Sequence, residues 1–127
     1  MATIVIRIDP EALDDPDLDL RYEIPDLLEQ RSGGQLSDRG YTHESDTDAL
    51  LLFLAASDLS TALPHVITLL ENDRLHGNDL ATAALVGTSP HELHEVEELA
   101  VAYPPASRAV IRRVRSTDGS APSWMLG

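Results

Sequence analysis

Residues 50–70 place the tightest restriction on what this chain can fold into. Leu50-Leu51-Leu52-Phe53-Leu54 is an unbroken apolar run of strand length. Such a run needs cover on both faces of a sheet, or cover on one face and an interface on the other. A few residues later, Leu59, Ala62, Leu63, Val66, Ile67 and Leu70 recur at i, i+3, i+4, i+7, i+8 and i+11, the stripe of an amphipathic helix. A buried strand feeding a one-sided helix implies a layered α+β domain. Asp58 or Thr61 can cap the helix. A start at Thr61 puts Pro64 in the first turn, where a missing N–H is tolerated. Gly77 after His76 supplies a stop.

The remaining elements fall around this pair. Ile4, Ile6 and Ile8 alternate with Val5 and Arg7 and predict a first strand, ended by Asp9-Pro10. Residues 11–16 read as loop or a single turn. Residues 17–24 alternate with period two, yet Leu20, Ile24, Leu27, Leu28 and Arg31 also share a helical face. Pro25 can open a helix at its first turn, so 25–31 is helical on either reading; we favour a helix over most of 18–31, and Ser32-Gly33-Gly34 ends it. Gln35 to Glu44 reads as a polar strand with a bulge or tight bend at Gly40. Through the turn Ser45-Asp46-Thr47-Asp48 it forms a hairpin with 50–54. Leu80 to Gly87 reads as a small-residue strand. The order β-α-β-β-α-β predicts a ferredoxin-like antiparallel sheet with two helices on one face. Residues 97–103 fit a helix or, as we prefer, an extra C-terminal edge strand. Val110, Ile111 and Val114 fit either a helix or a strand. Residues 1–115 are then one domain, with 116–127 a flexible tail that carries Trp124.

A chain of 127 residues with 43% apolar content can bury enough surface to fold without a staple. Its only aromatics are Phe53, Tyr22, Tyr41, Tyr103 and Trp124, so the core has to be aliphatic. With no cysteine, disulfides, thiolate catalysis and cysteine-based zinc sites are excluded. The first residues lack the basic and apolar regions of a secretory signal, and no apolar stretch is long enough to span a bilayer. The expected location is cytoplasmic.

The formal charge is −13 and it is unevenly spread. Arg74 is the only base between residues 51 and 100, whereas Arg108, Arg112, Arg113 and Arg115 face a single acid, Asp118, in residues 101–127. So negative a field repels phosphate backbones and anionic membranes and attracts basic partners; it also serves solubility alone. The C-terminal arginines are expected to pair with this acidic body or with an acidic neighbouring chain rather than with nucleic acid.

Motifs for chemistry are weak. His91 and His94 are three residues apart, not the four that puts both on one face of a zinc-peptidase helix, so a solvated polar turn is the preferred reading. Asp15, Asp17 and Asp19 begin a calcium-loop spacing, but Leu20 stands where glycine is needed and Asp26 where the bidentate glutamate belongs. Glu44, Asp46 and Asp48 cluster near His43, yet a turn leaves them solvated and apart. His76-Gly77-Asn78-Asp79 serves to end a helix. No nucleophile elbow, phosphate loop or dinucleotide fingerprint occurs. No cofactor or metal is expected. An enzyme using His43, His76, His91 or His94 ranks last.

Asp38-Arg39-Gly40-Tyr41 after a helix, and Gly77-Asn78-Asp79-Leu80 between a helix and a strand, resemble segments of small acidic bacterial proteins of unknown or toxin-immunity-like role. The resemblance covers about 18–103 and implies neutralisation of a toxin domain, without carrying over any site residue. The expected function is a non-enzymatic acidic protein-binding module, an immunity- or antitoxin-type inhibitor of a basic protein. Its partner-binding residues are expected to be Asp38, Tyr41, Glu44, Asp46, Asp48, Glu92, Glu95 and Tyr103, acids for steering and tyrosines for anchoring. The alternative is a small-molecule-sensing or structural domain that self-associates, as a homodimer, through an uncovered sheet face or an edge strand.

Overall fold

The structure, a computed structural model, describes residues 2–13, 20–43, 49–73, 79–89, 95–103 and 110–115. It is an α+β fold. The strands are β1 (Ala2–Ile8), β2 (Leu36–His43), β3 (Leu50–Ala56), β4 (Ala84–Ser89), β5 (Glu95–Tyr103) and β6 (Val110–Arg115); the helices are α1 (Leu20–Arg31), α2 (Leu59–Asn72) and the single turn α3 (Leu80–Ala83). A 3-10 turn, Pro10–Ala12, follows β1, with the Asp9 carboxylate accepting from the Glu11 N–H at 3.0 Å.

Every strand pairing is antiparallel, in the order β2-β3-β1-β4-β5 with β6 hairpinned onto β5. In the central pair Ile4, Ile6 and Ile8 stand opposite Leu54, Leu52 and Leu50. Paired residues share a face, so these six form one apolar surface. Onto it pack Leu20, Ile24 and Leu28 of α1 and Ala62, Val66, Leu69 and Leu70 of α2, all buried in one cluster. The alternate residues Val5, Leu51 and Phe53 form a second cluster on the other face, joined by the partly buried Val101. β5 pairs with β4 through its last residues and with β6 through its first, and β6 comes within reach of β2 and β4. The sheet therefore curls over the helix-free face. That explains why all seven residues of β3 are buried.

Helix ends follow local chemistry. Asp58 caps α2, its carboxylate accepting from the Ser60 N–H at 2.9 Å and the Ser60 hydroxyl at 2.7 Å; both donors hold the Asp58 carboxyl below its usual range. The end of α1 has the paired bonds of a Schellman stop, Gly33 N–H to Gln30 C=O at 3.3 Å and Gly34 N–H to Glu29 C=O at 3.0 Å, with Gly33 at φ 63°.

One expectation needs correcting, and three alternatives left open are decided. Pro25 and Pro64 each stand sixth in their helices: of the starts left open, the helix over most of 18–31 and the Asp58 cap are the ones that form, and starts at Pro25 and Thr61 are not. Each proline removes an intrahelical hydrogen bond, at Arg21 and Ser60 C=O respectively. Packing of the apolar stripe outweighs that loss, because Ile24, Leu28, Ala62 and Val66 are fully buried. Residues 80–83 are helical rather than extended: the alanine-rich turn is supported by the Thr82 hydroxyl donating to Asp79 C=O at 3.0 Å, and β4 starts only at Ala84. Residues 110–115, left open between helix and strand, form β6. The expected tail 116–127 lies outside the described residues. Among the described residues, no helix is long and apolar enough to cross a membrane.

If the curled sheet seals the second face, Phe53→Ala should cost about 3–5 kcal/mol, the range for a large aromatic deleted from a packed site. Urea unfolding measures it. A loss below about 1 kcal/mol would mean that Phe53 is not enclosed.

Candidate functional site

A strand sends alternate side chains to opposite faces, so Asp38 and Tyr41, three apart, should point opposite ways. They do not. Asp38 pairs with Leu54 and Tyr41 with Leu52, leaving Arg39 and Gly40 opposite Phe53 alone. Two residues against one is a β-bulge. Gly40 accommodates it at φ 101°, where an L side chain is strained, and the Asp38 carboxylate accepts from the Gly40 N–H at 2.8 Å. The extra residue turns Tyr41 to the helix side of the sheet, with Asp38. Without it Tyr41 would oppose Leu51, on the other face.

α1 packs against β2 and brings a complementary stripe. Tyr22, Asp26 and Glu29 lie at i, i+4 and i+7, with Glu23 beside them, so they share the helix side away from buried Leu20, Ile24 and Leu28. Tyr22, Glu23, Asp26 and Glu29 line an open groove together with Asp38 of β2; its volume is about 340 Å³. The Asp26 carboxylate accepts from the Gln30 amide at 2.9 Å. At the groove's end the Tyr22 and Tyr41 rings meet edge to face, centroids 6.4 Å apart. The Arg21 guanidinium carbon lies over both rings, 4.5 Å from the Tyr22 centroid and 5.3 Å from that of Tyr41. Tyr22 is 53% exposed and Tyr41 36%, the exposed large hydrophobic side chains among the described residues. Four carboxylates beside an exposed aromatic pair can attract a cation and give it an apolar surface to rest on.

The groove's helix wall is held at its far end. Arg31, the last residue of α1, makes a two-pronged ion pair with Asp73 at the end of α2, at 2.7 and 2.6 Å. The guanidinium holds the Asp73 carboxyl below its ordinary range, and the carboxylate raises Arg31.

Of the residues expected to bind a partner, Asp38 and Tyr41 come together here. Tyr103 does not join them. It is 7% exposed, pairs with Val86 and donates its hydroxyl to the Glu71 carboxylate at 3.2 Å. Burial first, and then Glu71, push its pKa up. Its place in an aliphatic core makes it a structural side chain rather than a surface anchor. Glu95 opens β5, its Cα paired with that of Arg115. Glu44, Asp46, Asp48 and Glu92 lie outside the described residues, as do His76, His91 and His94. Among the described residues no group of three or more metal-ligating side chains could hold an ion. Sequence reading missed Tyr22, Glu23, Asp26 and Glu29; their i, i+4, i+7 spacing was the available signal, hidden behind the apolar stripe of the same helix.

Two outcomes follow from this geometry. Gly40→Val should lower stability by about 1 kcal/mol or more, by forcing a branched side chain to positive φ. It should also abolish nuclear Overhauser contacts between the Tyr22 and Tyr41 rings; a variant that keeps them would show that the bulge does not place Tyr41. Asp73 has a folded pKa below its unfolded value of about 3.9, so its pair with Arg31 stabilises fully above that value and loses its contribution as pH falls through the folded one. A double-mutant cycle with Arg31→Gln and Asp73→Asn should give coupling of about 0.5–1 kcal/mol at neutral pH, since Arg31 is 43% exposed. The coupling should persist to about pH 5 and vanish in stronger acid.

No protein-family model matches the chain, and no curated protein or solved structure matches it, so the functional reading rests on the groove itself.

Proposed function

We propose that this chain is a non-enzymatic binding module that captures a basic protein through the groove between α1 and β2, in the manner of an immunity- or antitoxin-type inhibitor. The observation that carries the reading is the exposed Tyr22–Tyr41 pair set beside Glu23, Asp26, Glu29 and Asp38. Long-range attraction by the −13 chain raises the encounter rate with a positive surface, and rigid aromatic rings supply contact area at low entropic cost. A cysteine-free chain suits a reducing, cytoplasmic setting, and its negative field disfavours nucleic acid and anionic membranes. Residues 2–89 are read as a ferredoxin-like split βαβ unit; the antiparallel order β4-β1-β3-β2 supports this, with α3, β5 and β6 as additions to that plan. Self-association through a bare sheet face has less support, because Val5, Leu51 and Phe53 are buried within the chain.

The test compares the chain with its groove-neutralised variant, Glu23→Gln, Asp26→Asn, Glu29→Gln and Asp38→Asn together, as baits for basic proteins of its own host. Association measured by surface plasmon resonance at low salt should slow by roughly tenfold in the variant, and the difference should shrink at high salt. Tyr22→Ala and Tyr41→Ala should each weaken the complex by about 1–2 kcal/mol through faster dissociation. Equal binding by the neutralised variant would sink the proposal.

A further inference from the structure

We propose that the Tyr22–Tyr41 pair is a guanidinium subsite, held in the free protein by the chain's own Arg21 and taken over by an arginine of the basic partner on docking. The inference rests on the groove being the docking surface and goes further, naming the group that anchors there and what stands in its place beforehand.

Arg21 is the internal stand-in. Its guanidinium lies within 4.5 and 5.3 Å of the two ring centroids, inside the roughly 6 Å over which a ring quadrupole attracts a cation. The edge-to-face ring arrangement lets one planar group contact both. The contact is an incomplete one for Arg21, because its Nε is buried with no hydrogen-bond partner. A buried donor left unmade costs free energy, and it regains that when the side chain swings into water. The backbone beneath also lacks one hydrogen bond, since Pro25 has no N–H for the Arg21 carbonyl. An arginine arriving from outside finds the same rings plus the carboxylates of Glu23, Asp26, Glu29 and Asp38 along its path, whose fork geometry suits guanidinium better than ammonium. Arg21 thus competes with the ligand. It lowers the affinity, while the rings and the carboxylates favour arginine over lysine.

The sign of one substitution decides the matter. Oligo-arginine and oligo-lysine peptides of equal length serve as probes, with affinity measured by calorimetry at low salt on the full chain. Arg21→Ala should tighten oligo-arginine binding about three- to fivefold. Arg39→Gln, which removes an equal charge from the neighbouring exposed bulge, should tighten it less than about twofold, as expected of a screened surface charge. Oligo-lysine should respond alike to both substitutions. In the unaltered chain, oligo-arginine should shift the Arg21 side-chain NMR resonance together with those of the tyrosine rings. Weaker oligo-arginine binding by Arg21→Ala would make Arg21 a brace for the rings and overturn the subsite, as would an unmoved Arg21 resonance at saturation. If Arg21→Ala misfolds, the resonance experiment alone decides. Equal binding of the two peptides, abolished by neutralising the four groove acids, would keep the docking groove and remove the guanidinium subsite. Failure of both peptides to bind at low salt would remove the groove reading itself.

Discussion

A strand whose residues are all buried has to be covered twice, and β3 has this property from Leu50 to Ala56. Its even-numbered leucines join Ile4, Ile6 and Ile8 beneath α1 and α2. Its odd-numbered Leu51 and Phe53 pack with Val5 on the opposite face. Two helices can serve only the first surface. The second is closed by the sheet itself, through a β5 that pairs with β4 at one end and carries β6 back toward β2 from the other. Antiparallel sheets commonly leave one face to water; this one does not, and the chain beyond β4 is the reason.

The same parity rule governs the groove. β2 is held in register against β3 at both ends, by Leu36 opposite Ala56 and by His43 opposite Leu50. Between those points β2 contains one residue more than β3. The surplus cannot be absorbed at the ends without moving Leu36 off the helix-side core, where it is fully buried. It is absorbed at Gly40, and every residue beyond it changes face. Tyr41 reaches Tyr22 for that reason. Thr42 goes with it, buried opposite Leu51. The aromatic pair is thus a consequence of the register of the whole hairpin, not of a local preference of either tyrosine.

Periodicity made part of this legible and left part of it hidden. Ile4 to Ile8 and Leu59 to Leu70 repeat with clear periods of two and 3.6, and both elements form where the pattern sets them. Gly40 announced a break in β2. What the pattern could not show was the consequence of that break, because it depends on which residue of β3 stands opposite. Nor could it show that Tyr22 faces Tyr41, since the two are far apart in sequence and meet only after α1 has docked on β2. Tyr103 reads as an anchor because aromatic side chains supply binding hot spots, but its hydroxyl finds Glu71 on α2, and that partner allows the ring into an aliphatic core. Pro25 and Pro64 left two helix starts undecided, because a helix-start rule takes no account of tertiary packing. The stripe on either side of each proline is strong enough to carry the helix through it.

The exposed side of α1 is rich in carboxylates. An exposed helix gains a few tenths of a kcal/mol from each carboxylate followed four residues later by a base. Asp26 is followed instead by Gln30, an amide that bonds it without neutralising it. Where the fold does need α1 fastened, a base is supplied and paired: Arg31 reaches Asp73 with both prongs. Arg21, in the same helix, lies on two aromatic rings. The helix therefore uses its two arginines differently, one as a clamp between elements and one as a cover over an exposed aromatic surface. Four carboxylates kept together around that surface repel one another to a small degree. A cation approaching from outside would relieve that repulsion, and the ring pair stands where such a cation would come to rest.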